Sequence, residues 1–372
     1  MRLIARNGKF VFALVTVILS GNLFTRIVFA DDEPKTVTAG DEQPKTTGTA
    51  KTETIGESDS AARETSAPQE PKRRALPAPL DPLFPGSEYL GPTPLIGVPD
   101  TDPEYPLEKA LWSAFPALKA QRIKVYGWVN AGFDFSTSNK SNIPESYAIV
   151  PNKLELDQAV VRIERLPDTV QRDHVDWGFR FSPMYGIDYR WTTAQGWFSG
   201  QLLNHNRQYG FDPVEAYGLV YIPNVAQGMV IKFGRYISPP DIEAQLAPDN
   251  YLYTHSLMFT FDCYTQTGIN AAIKLNDQWS ILFGIHAGDD IAPSNGAAHP
   301  TAMAMARWVS KSNNDSLWGG IDSLNGGKFK DGHDNLQQFN LTWTHRFNEA
   351  GTLLTRQKRI TFSRRTRLSA GP

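Results

Sequence analysis

Between His174 and Tyr185 the chain reads His-Val-Asp-Trp-Gly-Phe-Arg-Phe-Ser-Pro-Met-Tyr. Val175, Trp177, Phe179 and Phe181 alternate with Asp176, Gly178, Arg180 and Ser182. Side chains on a strand point to opposite faces with period two, so one face is large and apolar and the other charged or bare. Two folds accept that pattern. A soluble sheet turns the apolar face inward, whereas a transmembrane barrel turns it toward lipid and lines a wet interior with the charged face.

Similar segments recur after Arg122. They run over Ile123 to Phe135, Leu154 to Glu164, Val214 to Ile222, Met229 to Tyr236, Ile269 to Leu275, Trp279 to His286, Ala302 to Val309, Leu317 to Ser323 and Leu336 to Phe347. Asn276-Asp277-Gln278 is a hairpin-type turn, while Gly186 to Pro213 and Ser238 to Gln266 are long polar loops. This predicts an all-β fold of roughly ten or more antiparallel strands over residues 122–348.

What precedes the strands is different in kind. Arg2, Arg6 and Lys9 followed by the apolar run Phe10 to Leu19 and by Val28-Phe29-Ala30 read as a cleaved signal peptide over 1–30. Asn22 and Arg26 break the run short of the roughly 20 residues a spanning helix needs. Residues 31–106 hold 13 of the chain's 26 prolines among Thr, Glu, Lys, Ser and Gly, the composition of a disordered spacer. Apolar positions at Leu107, Ala110, Leu111 and Ala114 predict a short helix within 107–121, ended by Pro116, leading into the sheet.

Export and strand pattern together favour the barrel. Arg, Asp, Asn and Gln fall in mid-strand, and Tyr126, Trp128, Trp177, Tyr185, Tyr221, Trp279, Trp308 and Trp343 fall near strand ends, as interfacial girdles require. The net charge of −2 gives no pull toward nucleic acid. A single cysteine, Cys263, rules out an intrachain disulfide.

Several motifs resemble a known family. Tyr126-Gly127-Trp128, Asp176-Trp177-Gly178-Phe179-Arg180, Tyr189-Arg190 followed by Thr192-Thr193-Ala194, Gly234-Arg235-Tyr236, Ala247-Pro248-Asp249-Asn250 and Thr267-Gly268 followed by Trp279 and Gly284 are similar to the β-barrel porin-2, OmpL-like family. The resemblance runs from Gln121 to Asn348. It implies an outer-membrane barrel in contact with lipid, passing small hydrophilic solutes by passive diffusion. Residues 349–372 depart from it, with basic residues on both strand parities and no terminal aromatic. That atypical tail is expected to lie outside the strands, as in a truncated or frameshifted reading frame.

No chemistry motif stands out. Walker, Gly-x-Ser-x-Gly and His-Glu-x-x-His patterns are missing, and the seven histidines have no metal-ligand spacing. The sequence therefore predicts no enzyme, no cofactor and no metal. The functional candidates are charges expected to face the interior: Arg162, Glu164, Asp176, Arg180, Lys232 and Arg346. Rings of fixed charge select solutes by sign, although such residues can also pair and simply fill a barrel. Asp241, Glu243 and Asp249 lie on the segment Ser238 to Gln266, which either enters the lumen as a constriction or stays a surface loop. A homo-oligomer is a candidate assembly. The competing readings are a non-conducting anchor or adhesin barrel and a secreted carbohydrate-binding β-sandwich.

Overall fold

The computed structural model describes residues 96–97, 105–143, 146–239, 243–250, 253–256, 259, 263–312, 314–324, 328–329, 333–347 and 353–365; for 328–329, 333–337 and 353–365 only the backbone is described. The signal peptide expected over 1–30 lies outside the described residues. So does the spacer expected over 31–106, apart from Ile96, Gly97, Tyr105 and Pro106.

Two short helices lead into the sheet, α1 (Pro106–Ala114) and α2 (Pro116–Ala120). Pro116 ends the first and opens the second, because its missing N–H costs nothing at a first helical position. The indole N–H of Trp112 then donates to the carbonyl of Ile123 at 2.7 Å and fixes the approach to the first strand.

The strands are β1 (Lys124–Phe133), β2 (Leu154–Arg165), β3 (Asp176–Gly186), β4 (Gly210–Ile222), β5 (Met229–Ile237), β6 (Thr265–Lys274), β7 (Trp279–Asp289), β8 (Thr301–Val309), β9 (Asp315–Leu324), β10 (Lys328–Phe329), β11 (His333–Arg346) and β12 (Leu353–Arg365). Each pairs antiparallel with its neighbour in a single continuous sheet ordered β1 through β9, then β11, with the two-residue β10 beside β11 and β12 along its other edge. A sandwich would need a second sheet, and every strand among the described residues belongs to this one. Short connections (166–175, 223–228, 275–278, 310–314, 347–352) alternate with long ones (134–153, 187–209, 238–264, 290–300), so the two ends of the strands differ.

Which face is buried decides the fold type. Trp177 is 51% exposed, Phe233 49% and Phe283 48%, while Arg162 and Arg180 on neighbouring strands are 1% exposed and Glu215 2%. Further along, Ile269, Ile285, Leu317, Leu341 and Trp343 are exposed where Asn270, Ser280, Arg307, Asn340 and Thr342 are buried. A water-soluble sheet would have this the other way round. The sheet is a barrel with its polar face inside and an apolar outer face suited to lipid. On that outer face the ring of Phe233 lies against Gly218 of β4, where a Cβ would meet the ring at 2.4 Å.

The strand register extends beyond the sequence-based expectation at one end. β12 pairs with β11 from Arg346↔Leu353 to His333↔Arg365, so the basic segment expected to lie outside the sheet continues it. Alternation is a statement about side chains, and a backbone ladder forms without it. Pairing with β12 satisfies the N–H and C=O groups along that edge of β11, which hydrocarbon would leave stranded.

Phe233→Arg should cost about 2–4 kcal/mol if the position sits near the bilayer midplane, measured by urea unfolding of refolded protein in lipid vesicles; an unchanged midpoint would mean that this face does not meet lipid. Deleting residues 349–372 should abolish the heat-modifiable folded form in membranes by exposing the β11 edge. A full folded yield would mean that β12 is dispensable.

Candidate functional site in the barrel interior

The inner wall carries an ionic cluster on β1 to β4. Glu215 accepts hydrogen bonds from Arg162 (2.9 Å), from Arg180 (3.3 Å) and from the Ser182 hydroxyl (2.7 Å). Glu164 accepts from Arg180 at 2.8 Å and from the Tyr126 hydroxyl at 2.8 Å. Arg162 also donates to Ser182 (3.1 Å) and sits 5.2 Å over the ring of Trp128. Two guanidiniums and two carboxylates thus neutralise each other out of contact with bulk water, where an unpaired charge would be prohibitive.

Two strand irregularities build this cluster. Asn130 pairs with Gln158 and Ala131 with Leu156, so Asp157 has no opposite number on β1. Ser182 pairs with Glu215 and Pro183 with Pro213, which leaves Val214 similarly unopposed. Each bulge puts two consecutive side chains on the buried side, Asp157 with Gln158 and Val214 with Glu215. Glu215 thereby joins the arginines, and Gln158 becomes available to hold a loop.

The loop it holds is the β5–β6 connection. The Gln158 amide N–H donates to the carbonyl of Gln245 (2.9 Å) and to Asp188 (2.8 Å), and its carbonyl accepts from Ala247 N–H (3.0 Å). Leu246, fully buried, packs with Val160, Met184 and Val214 on the inner faces of β2, β3 and β4. Residues 244–247 therefore lie against the inner wall. Further out, Tyr147 stacks on His255 at 3.9 Å and on Trp191 at 5.6 Å, knitting three long connections together.

The candidate charges fall into separate places. Arg162, Glu164 and Arg180 meet in the ionic cluster. Lys232 stands 4.8 Å from the Tyr217 ring centroid and 5.5 Å from that of Tyr236, partly exposed on the same wall. Asp176 is elsewhere. At the short-turn end it is bound by Arg122 (2.5 Å), Arg165 (2.9 Å) and the Asp168 N–H (2.8 Å), clamping the chain's entry to the β2–β3 turn. Glu243 accepts from Ser256 N–H at 2.8 Å within its own segment. Asp241 and the side chains of Asp249 and Arg346 lie outside the described residues.

Alternation did not nominate Glu215, Asp212 or Arg235. Arg235 grips Asp212 with both terminal nitrogens, at 2.7 and 2.9 Å, and reaches the carbonyls of Thr192 and Pro213. Gly234, at φ +126°, makes the local turn of backbone that buries both Arg235 and Tyr236, and a Cβ there would meet the Ala216 carbonyl at 2.4 Å. The motif Gly234-Arg235-Tyr236 was the available signal. Among the described residues no three His, Cys, Asp or Glu side chains are grouped to hold a metal ion.

The family model described as beta-barrel porin-2, OmpL-like matches residues 122–365, about two thirds of the chain and all the long strands. The class is a porin-type β-barrel, and this chain belongs to the OmpL-like porin-2 family. No similar curated protein and no similar solved structure was found.

At the long-loop end, Asp290 joins these connections. Its carboxylate accepts from Thr265 N–H (2.8 Å), Thr265 hydroxyl (3.0 Å) and Tyr264 N–H (3.3 Å), while its carbonyl accepts from Gln195 N–H (2.7 Å). Burial pushes its carboxyl up to about 7, opposed by the Thr265 N–H and reinforced by the neighbouring Asp289. A raised carboxyl favours the folded state while protonated, so that contribution is full below the ordinary carboxylate range and is lost as pH rises through about 7. The thermal midpoint of the refolded protein should therefore fall between about pH 5 and about pH 8. Asp290→Asn should flatten the fall. An equal pH dependence in the variant would place its source elsewhere.

Proposed function

We propose that this chain is an outer-membrane porin that lets small hydrophilic solutes diffuse passively, with no catalytic step of its own. The observation that carries the reading is the inverted burial. Guanidiniums, carboxylates and amides sit inside while Trp177, Phe233, Phe283 and Ile285 face outward. In this reading the short turns lie on the periplasmic side and the long connections outside, the usual asymmetry of such barrels. Chain entry through α1 and α2 at the short-turn end agrees with arrival from the periplasm.

Solute choice then falls to the interior charges that water reaches. Arg162 and Arg180 pair with Glu164 and Glu215 in full burial, whereas Lys232, beside Tyr217 and Tyr236, is partly exposed on the inner wall and is the cation we place in the path of passing ions. A second reading, a barrel that anchors without conducting, draws on how fully these pairs and residues 244–247 occupy the interior.

Planar-bilayer recording separates the two. Refolded protein should give stepwise conductance, and Lys232→Glu should move its ion preference toward cations without loss of the folded form. A folded barrel that stays silent, in wild type and in variants that empty the interior, would favour the anchor. Conductance insensitive to Lys232→Glu would take selectivity away from this residue.

A further inference from the structure

The long connection from β3 to β4, residues 187–209, divides between the two faces of the wall. Its first part goes inward. Tyr189 is fully buried with Met184 and Leu246, and the Gln195 N–H donates to the Asp290 carbonyl at 2.7 Å, just beyond β7. Its second part comes outward. Phe198 meets Phe211 edge to face with ring centroids 5.4 Å apart. Phe211 pairs in register with Tyr185, which is exposed on the outer face like Trp177 of the same strand. The Gln201 amide donates to the Phe211 carbonyl at 2.9 Å and accepts the Phe211 N–H at 3.1 Å, so the short helix Gly200–Leu203 is fastened to the start of β4. Tyr209 then reaches across the end of β3 to the backbone of Leu156 on β2.

The outward part is a lip that is apolar and cationic together. Phe198 is 59% exposed and Leu203 60%, and with Tyr185 they extend the lipid-facing wall past the ends of the strands. Arg190 donates to the Arg207 carbonyl at 2.8 Å and to the Asn206 side-chain oxygen at 2.9 Å, which brings the two arginines together. Arg207 is itself exposed. From Tyr189 to Phe211 the chain has no Asp or Glu. The carboxylates of the neighbouring strand ends, Glu155, Asp157, Asp188 and Asp212, are all buried. Among the described residues neither arginine is paired with a carboxylate. A guanidinium keeps its charge at any working pH, and its fork of donors matches the oxygens of a phosphate. Apolar side chains beside cationic ones are the arrangement of an element that lies at a membrane surface.

We propose that this lip binds a membrane lipid with a phosphorylated headgroup, in the leaflet at the long-loop end. Arg190 and Arg207 take the phosphate, and Phe198 and Leu203 lie along the acyl chains. A lipid fits better than a free anion because the same segment offers apolar surface, which a soluble phosphate would leave in water. The outer wall supplies the continuity, since a chain standing against Tyr185 and Phe211 ends where the lip begins. The proposal rests on the lipid-facing wall and goes beyond the porin reading, because no solute has to pass for the lip to be occupied.

The test uses the full chain, refolded in a non-ionic detergent and checked for heat-modifiable migration. Native mass spectrometry reads the lipid retained after incubation with phosphatidic acid or with phosphatidylcholine of matched chains. Wild type should retain phosphatidic acid several-fold over phosphatidylcholine. Arg190→Gln with Arg207→Gln should abolish that preference, and Arg207→Gln alone, which spares the Arg190 hydrogen bonds, should lower it. Lys311→Gln, exposed on the β8–β9 turn at the opposite end, should leave it unchanged. Phe198→Ser should reduce retention of phosphatidic acid with the folded form intact. Equal retention of the two lipids by wild type overturns the proposal, as does a preference that survives loss of both arginines. Displacement of phosphatidic acid by an equal concentration of inorganic phosphate, with Phe198→Ser without effect, overturns the lipid assignment in favour of free phosphate. None of these readouts passes through conduction, so failure of the porin reading cannot be mistaken for failure of this one.

Discussion

The interior of this barrel depends on the Glu215 carboxylate. It lies between Arg162 and Arg180, takes a hydrogen bond from Ser182, and is reached only because β4 carries an extra residue at Val214. Without it two buried guanidiniums would share the single carboxylate of Glu164. Leaving a buried charge unpaired costs about 3–5 kcal/mol, which exceeds what any one outward-facing side chain contributes. The ion pairs therefore make the inward placement of these strands tolerable rather than driving it. The drive comes from the outer face, where Trp177, Phe233 and Phe283 gain by meeting lipid.

The same logic explains what could be read from the sequence. On β3 the alternation of Val175, Trp177, Phe179 and Phe181 with Asp176, Arg180 and Ser182 gives both strand and facing, because its inner face is polar. On β4 the signal points the wrong way. Tyr217, Leu219 and Tyr221 look like a lipid face, yet they are buried inside while Ala216, Gly218 and Val220 lie on the other side. An apolar inner lining reverses the rule that locates the lumen, and Glu215, which shares its parity, was hidden by it. The strand positions from β1 to β11 were legible from period two alone, the two-residue β10 excepted. The bulges at Asp157 and Val214 were not, since each is a one-residue break in that period and leaves no compositional trace.

The last strand was illegible for another reason. Basic residues at Arg356, Lys358 and Arg364 and at Arg359, Arg365 and Arg367 occupy both parities, so no face of the segment reads as apolar. The backbone nevertheless pairs along β11 from Arg346 to His333. Pattern reports which side chains a face would show, and pairing answers to unsatisfied edge groups, so the two criteria separate at the end of a sheet. Among the described residues no ladder joins β12 to β1.

The two linings divide the bore between them. Charge and amide groups predominate on β1 to β4, and tyrosines, methionines and aliphatic groups gather in a patch on β4 to β9 that buried Asn270, Lys274 and Arg307 border, with Lys232 and Tyr217 at its edge. A solute passing between them would meet hydrogen-bonding groups along one flank and apolar contact along the other. Most of the polar groups are already committed to one another, so the charged flank is rigid and nearly neutral. The apolar flank is different. Its tyrosines reach outside the patch, Tyr221 donating to the Gln171 carbonyl and Tyr217 lying beside Lys232, while Leu166 and Ile96 pack against its apolar groups. Fixed charge thus gives the barrel its shape on one side, while apolar packing with the β2–β3 turn does so on the other.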